Sequence, residues 1–245
     1  TSALINEVSQ KQPMIFFSSD NLIGKIYKFN KSIIDHKKYL NEDNIFIFGI
    51  KPVSPSSQYG YFLTKKIFKG ISKVEKFIEK PNINNAKKII RKKAYWNSGI
   101  LFATKISIIN NFNKYQKKTL DLCVDSVFNA RMSKNVFYLS KKPFKKIKSK
   151  SFDYAILEKS KNINAIKLNI SWSDLGSWKE ITNLFKKNKS KYFNKKNVFH
   201  RPWGKYINLF NGKGFLIKEL VINPKSSISL QKHNHRSEHW SIVYG

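Results

Sequence analysis

Short apolar runs closed by turn formers alternate along the chain with stretches whose apolar residues fall three and four apart. Pro13 to Phe17, PMIFF, and Asn44 to Ile50, NIFIFGI, have the unbroken apolar character of strands buried on both faces. Val74 to Ile78, the ILFA run Ile100 to Ala103, and Asn164 to Ile170 read as further strands. Gly24 to Lys38 spaces Ile26, Phe29, Ile33 and Ile34 along one helical face. Ser2 to Gln10, Asn84 to Lys93, Ser151 to Lys159 and Lys179 to Lys187 also read as helical, as does Lys105 to Arg131 with a break near Asn110 to Tyr115. Lys141 to Lys150 reads as a solvated loop. Such strand-helix alternation predicts an α/β fold with a mostly parallel sheet. From Arg201 the rhythm changes to Gly- and Pro-punctuated alternation, which predicts antiparallel β-hairpins. The pattern divides the chain into a domain over 1–187, a polar linker over 188–200 and the start of a β domain over 201–245.

Charge changes the picture in one respect. The 245 residues hold 47 Lys+Arg against 15 Asp+Glu, a net charge of +32. Phosphate neutralisation by such a surface supports non-specific nucleic-acid binding. Lys far outnumbers Arg, however, and is spread over the whole chain together with abundant Asn and Ile. That distribution fits AT-biased coding drift better than a dedicated nucleic-acid surface. The lone Cys123 allows no internal disulfide and fits a reducing compartment. No apolar run approaches the roughly 18 residues of a membrane span, and no signal-peptide pattern opens the chain. The expectation is a cytoplasmic protein without a membrane partner, whose translation starts upstream of Thr1.

Two carboxylates stand where a strand gives way to a turn: Asp20 after PMIFF, and Asp174 within Ser171 to Trp178, SWSDLGSW. Strand ends are where open α/β sheets place ligand-binding groups. On spacing alone, the commoner role for Asp174 is an N-cap or Asx-turn.

The octet resembles the WSDVGSW block of bacterial mannose-1-phosphate guanylyltransferases, and further blocks follow the same family in order. Phe17 to Asn21 aligns with LPADH, keeping the Asp; Gln58 to Phe62 with GYGYI; Phe77 to Asn82 with FVEKPD. Trp96 to Ile100 is similar to WNSGM, and Ser151 to Lys159 to SIDYAVMEK. Arg201 to Gly204 matches RPWG, and Ser229 to Trp240 matches SLQxHxHRxEHW. The resemblance covers nearly the whole chain. It implies a nucleotidyltransferase-like mixed sheet of the Rossmann-like, glycosyltransferase-A type lacking its N-terminal part, followed by a partial cupin barrel.

The implied reaction joins GTP and mannose 1-phosphate to give GDP-mannose and pyrophosphate. By this resemblance Asp20 and Asp174 hold Mg2+, and Lys80 is the point charge for the sugar phosphate. Glu79 accepts from sugar hydroxyls, Asn97 contributes an amide, and Tyr59, Gly60 and Gly99 complete the sugar-phosphate site, the glycines allowing close backbone approach. Asp153 reads as a helix cap, and Trp240 as a core residue. His233, His235, Glu238 and His239 resemble the first metal motif of the mannose-6-phosphate isomerase half, which takes Zn2+ or another divalent ion. A homo-oligomer is also compatible with the family.

The family's Gly-rich GGxGxRLWPxSR loop, which cradles the GTP phosphates, does not occur in these residues. The segment between WSDLGSW and RPWG is short, and the cupin pattern stops after its first motif. These departures predict a piece of a bifunctional enzyme, incomplete and inactive alone. Two readings of other classes stand beside it: a catalytically dead module for sugar-phosphate or subunit contacts, and a basic nucleic-acid binder.

Overall fold

The computed structural model of the chain describes residues 2–5, 9–134, 136–176, 198–228, 234–235 and 237–242. It divides into two compact units, Thr1–Trp172 and Ser173–Gly245. The elements begin with α1 (Ser2–Ile5), β1 (Pro13–Phe16), β2 (Asn21–Ile23), α2 (Ile26–His36) and β3 (Ile45–Ile50). Then come β4 (Tyr61–Phe68), β5 (Ile71–Ile78), α3 (Ile83–Arg91), β6 (Tyr95–Thr104), α4 (Lys105–Tyr115) and α5 (Lys117–Phe128). A small hairpin, β7 (Arg131–Ser133) and β8 (Val136–Tyr138), leads through α6 (Lys141–Phe144) and a π-helical turn over Asp153–Leu157 into β9 (Ile163–Leu168). β10 (Trp172–Asp174) crosses the division between the units, and β11 (Val198–Arg201), β12 (Gly204–Gly212) and β13 (Phe215–Ile222) follow.

The apolar run IFIFGI becomes the central strand because both of its faces are covered. Phe46, Phe48 and Ile50 enter a core with Phe29 of α2, Ile89 of α3 and Phe102 of β6. Ile45 and Ile47 enter a second core with Ile108 of α4 and with Ile156 and Leu157 of the π turn. Period-two alternation thus serves two apolar faces, which gives three layers, helix on sheet on helix.

The strand order is β1-β6-β3-β9-β5-β4, with a further pairing of β4 to β6. The sheet is mixed, but β3 and β9 form its only parallel pair among the described residues. The parallel share is smaller than the alternation predicts. β4 and β5 are joined by a tight hairpin at Lys69–Gly70, and β6 returns antiparallel to β3.

β6 begins five residues before the expected ILFA run and takes the YWNSG stretch into the sheet. The break in the long helical region falls at Gln116, just past its expected place. The lysine-rich segment contains one helical turn, α6. Residues 153–157 wind as a π turn, marked by the Glu158 N–H donating to the Asp153 carbonyl at 3.0 Å. The wider turn goes with three consecutive buried residues, Ala155, Ile156 and Leu157.

In the second unit β11, β12 and β13 form the expected antiparallel sheet, with β12 and β13 connected at Lys213–Gly214. Residues 188–197 of the expected linker and the expected helix over 179–187 lie outside the described residues. Among the described residues no helix is long and apolar enough to cross a membrane. The six non-glycine residues with left-handed backbone among them are all lysines: Lys25, Lys69, Lys80, Lys93, Lys134 and Lys225.

The Ser- and Pro-rich loop before β4 is pinned by one buried phenol. Tyr61 accepts from the Ser56 N–H and donates to the Ser56 carbonyl, both at 2.9 Å. Tyr61→Phe keeps the ring and orphans both backbone groups, so it is expected to cost about 1–2 kcal/mol, read from the urea midpoint at constant slope.

Candidate functional site

Four segments distant in sequence meet around Gly60. β4 starts just after Gly60, β5 ends just before Glu79, β6 carries Asn97, and the π turn carries Asp153 with Glu158 at its exit. The Gly60 carbonyl accepts from the Asn97 N–H at 2.8 Å, which joins the β4 entry to β6. The Glu79 carboxylate lies so close to the Gly60 α-carbon that a methyl group there would sit 2.5 Å from Oε2. Gly60 is required for that approach.

The side chains hold one another in place. Asn97 donates through Nδ2 to Asp153 Oδ1 at 2.8 Å, and its Oδ1 accepts from the Gly99 N–H at 3.3 Å. The Glu79 N–H donates to Glu158 Oε1 at 3.2 Å. Lys80 reaches back to Glu79 Oε1 at 3.8 Å, with Glu79 only 6% exposed and Lys80 57% exposed. The ammonium is therefore exposed to solvent beside a buried carboxylate.

Burial pushes the Glu79 carboxyl up to about 7, with the Asp153 charge as the next cause; Lys80 opposes the shift and Glu158 adds to it. Asp153 is also raised by burial, against the pull of hydrogen bonds from its own backbone and Asn97. Asp153 and Glu158 are what the sequence reading undervalued. Asp153 orients the Asn97 amide, and Glu158 fixes the Glu79 backbone. The signal available was their joint presence in Ser151 to Lys159, at the two ends of one turn.

The other expected residues fall differently. Gly99 has φ +74 and is exposed; a Cβ there would lie 3.6 Å from Ser18 Oγ, so it faces the turn that leads to Asp20. Asp20 itself is exposed at that turn. Tyr59 packs its ring edge-on between Trp96, at 5.0 Å, and Trp172, at 5.3 Å. Asn21, standing where the family has His, accepts from the Trp172 indole N–H at 2.6 Å and so ties the Asp20 turn to the end of the first unit.

In the second unit, Asp174 is half-buried and accepts from the Gly176 N–H at 2.9 Å, an Asx-turn contact. His235, Glu238 and His239 are exposed, and His233 lies outside the described residues. Trp240, expected in the core, is instead 58% exposed, and its indole donates to Glu238 Oε2 at 3.3 Å. Among the described residues no three His, Cys, Asp or Glu side chains gather as a metal site.

Residues 2–191 match the family model for nucleotidyl transferases, and residues 187–245 that for the mannose-6-phosphate isomerase C-terminal region. The xanthan biosynthesis protein XanB of Xanthomonas campestris pv. campestris is 24% identical over 297 residues, covering 95% of this chain and 63% of its own. A mannose-1-phosphate guanylyltransferase of Escherichia coli is 30% identical over 183 residues, covering 72% of this chain and 39% of its own. The chain thus spans less than two thirds of the length of these curated relatives. Among solved structures, the mannose-6-phosphate isomerase of Helicobacter pylori has a TM-score of 0.64 at 24% identity, over 71% of this chain and 68% of that one. The mannose-1-phosphate geranyltransferase of Thermus thermophilus has a TM-score of 0.62 at 19% identity, over 71% and 50%. These two likenesses speak to the fold.

The raised carboxyl of Glu79 has a sign that can be checked. Between pH 4.5 and about 7 the folded chain keeps a proton that the unfolded chain has lost, so stability falls as pH rises through that window. Glu79→Gln removes the charge and keeps the shape. It is expected to stabilise the chain by about 1 kcal/mol above pH 8 and to change little below pH 4.5, since Lys80 and solvent screen part of the charge. Urea midpoints across pH 4 to 9 test it.

Proposed function

Because the chain belongs to the nucleotidyl transferase family, we propose that its first unit binds mannose 1-phosphate and presents it for attack on GTP. The observation that carries this reading is the convergence of Glu79, Lys80, Asn97 and Asp153 on Gly60. Curated relatives named as mannose-1-phosphate guanylyltransferases support the choice of sugar.

In the proposed reaction an oxygen of the sugar phosphate forms a bond to the α-phosphorus of GTP. The bond to the β-phosphate bridging oxygen breaks, and pyrophosphate leaves. Dense negative charge makes alignment and neutralisation the main requirements. Lys80 supplies a cation for the sugar phosphate, and its backbone is fixed next to a buried neighbour. Glu79, near its midpoint at neutral pH, can accept from or donate to a sugar hydroxyl. Asn97 spends one amide hydrogen on Asp153 and keeps the other for a sugar oxygen.

Asp20, in the first unit, and Asp174, in the second, are each a hard oxygen donor of the kind magnesium prefers, and each is proposed as a magnesium ligand by its own match to the family's blocks. Bound there, magnesium would neutralise phosphate charge during the transfer. In a chain that also carries the Gly-rich nucleotide loop, Asp174→Asn is expected to lower pyrophosphate release about 100-fold while the urea midpoint barely moves. For zinc, the donors among the described residues form no site.

Titration calorimetry of the chain with mannose 1-phosphate tests the sugar-phosphate reading. Lys80→Ala is expected to weaken binding by about 10- to 100-fold, the worth of a charged hydrogen bond, and to leave the weaker binding of unphosphorylated mannose unchanged. Equal affinity of parent and variant for the phosphate ester, or no binding by the parent, would overturn it.

A further inference from the structure

Behind the π turn lies a cavity of about 460 Å³, within the range of small-ligand sites. Its walls are apolar: Ile108 and Phe112 of α4, Leu120 and Cys123 of α5, Phe144 of α6, and Ile147 beyond it. α1 adds Ala3 and Leu4, and the lysine-rich segment brings Lys148 and Lys150 to the cavity. An open-mouthed, mostly apolar cavity bordered by two exposed lysines, with Gln116, Thr119 and Ser149 as its other polar residues, suits one kind of molecule. We propose that this cavity binds a small amphiphilic anion, an apolar body of about ten carbons or fewer carrying a carboxylate or phosphate head.

The cavity and the candidate site share one stretch of chain. Phe152 and Ala155 line the cavity, while Asp153, between them, holds Asn97 on the other side. Phe152 packs on Phe112 at 5.9 Å, and Gln116 Nε2, also at the cavity, donates to the Ala155 carbonyl at 3.3 Å. A ligand that spreads α4 and α5 therefore displaces the π turn, and with it the Asp153 carboxylate that orients Asn97. Occupancy changes the affinity for mannose 1-phosphate, a coupling that rests on the function proposed above, whereas occupancy itself does not.

Sodium decanoate below its micellar range is the probe, titrated into the full chain. One decanoate is expected per chain, with 1-decanol binding at least tenfold more weakly for want of the charge. Leu120→Trp, which fills the chamber, and the double variant Lys148→Glu/Lys150→Glu, which acts at the cations alone, are each expected to weaken decanoate at least tenfold. Cys123 lines the chamber, so saturating decanoate is expected to slow its reaction with a thiol reagent at least fivefold. Mannose 1-phosphate affinity is expected to shift at least fivefold when decanoate saturates. Non-saturating uptake of many decanoates, unaffected by either variant, would mean adsorption to the cationic surface and overturn the site, as would an unchanged thiol rate. An unchanged sugar-phosphate affinity overturns the coupling. A chain that takes decanoate but no mannose 1-phosphate overturns the sugar reading and leaves the cavity standing.

Discussion

Strand β6 must satisfy three neighbours at once, and the rest of the first unit depends on how it does so. Its first residues pair with β4 on one side and β3 on the other; its last four pair with β1, and three of those also with β3. The register slips between Ile47 and Gly49 of β3 to allow the change. The WNSG residues lie in this changeover. Asn97 is therefore placed by hydrogen bonds of the sheet and not by a loop, which suits a group that must be aimed. Gly60 and Glu79 stand at the ends of strands bonded directly or indirectly to β6, so the pocket inherits its dimensions from the ladder.

Composition and site point in opposite directions, which is informative. A chain with 47 basic and 15 acidic residues has little reason to bring three carboxylates together by chance. Asp153 and Glu158 nevertheless help to raise the Glu79 carboxyl, and Glu158 helps to raise Asp153, beside a single lysine. Lysine abundance conceals Lys80 in the sequence, whereas its surroundings distinguish it: a buried acidic neighbour and an exposed ammonium. The cluster keeps these carboxylates together by burying Glu79 and Asp153, and that burial raises both carboxyls.

Much of this was legible in the sequence because it rests on local pattern. IFIFGI announced a strand buried on both faces, Gly24 to Lys38 announced α2, and the ordered blocks named Gly60, Glu79, Lys80 and Asn97. What stayed hidden depends on contacts between distant residues. Nothing in the spacing of Asp153 and Glu158 says that one reaches Asn97 and the other the backbone of Glu79. The π winding of 153–157 was hidden as well, since apolar periodicity there reads equally as an ordinary helical turn. The parallel-sheet expectation failed for the same reason: strand-helix alternation does not reveal that β6 comes back antiparallel beside β3. Asn21 seemed a mere departure from the family pattern until the Trp172 indole supplied its partner.

The lysines at left-handed turns differ in what their strained backbone holds. Such corners favour glycine, or asparagine after it, and a side chain with a β-carbon is strained there by something near 1 kcal/mol. Lys69, Lys93 and Lys225 sit in turns outside the Glu79 cluster, so their strain has no counterpart at the candidate site. Lys80 differs, because there the same awkward backbone holds an ammonium over Glu79. Glycine would relax the backbone at the first three corners, whereas at the fourth it would remove the ammonium beside Glu79.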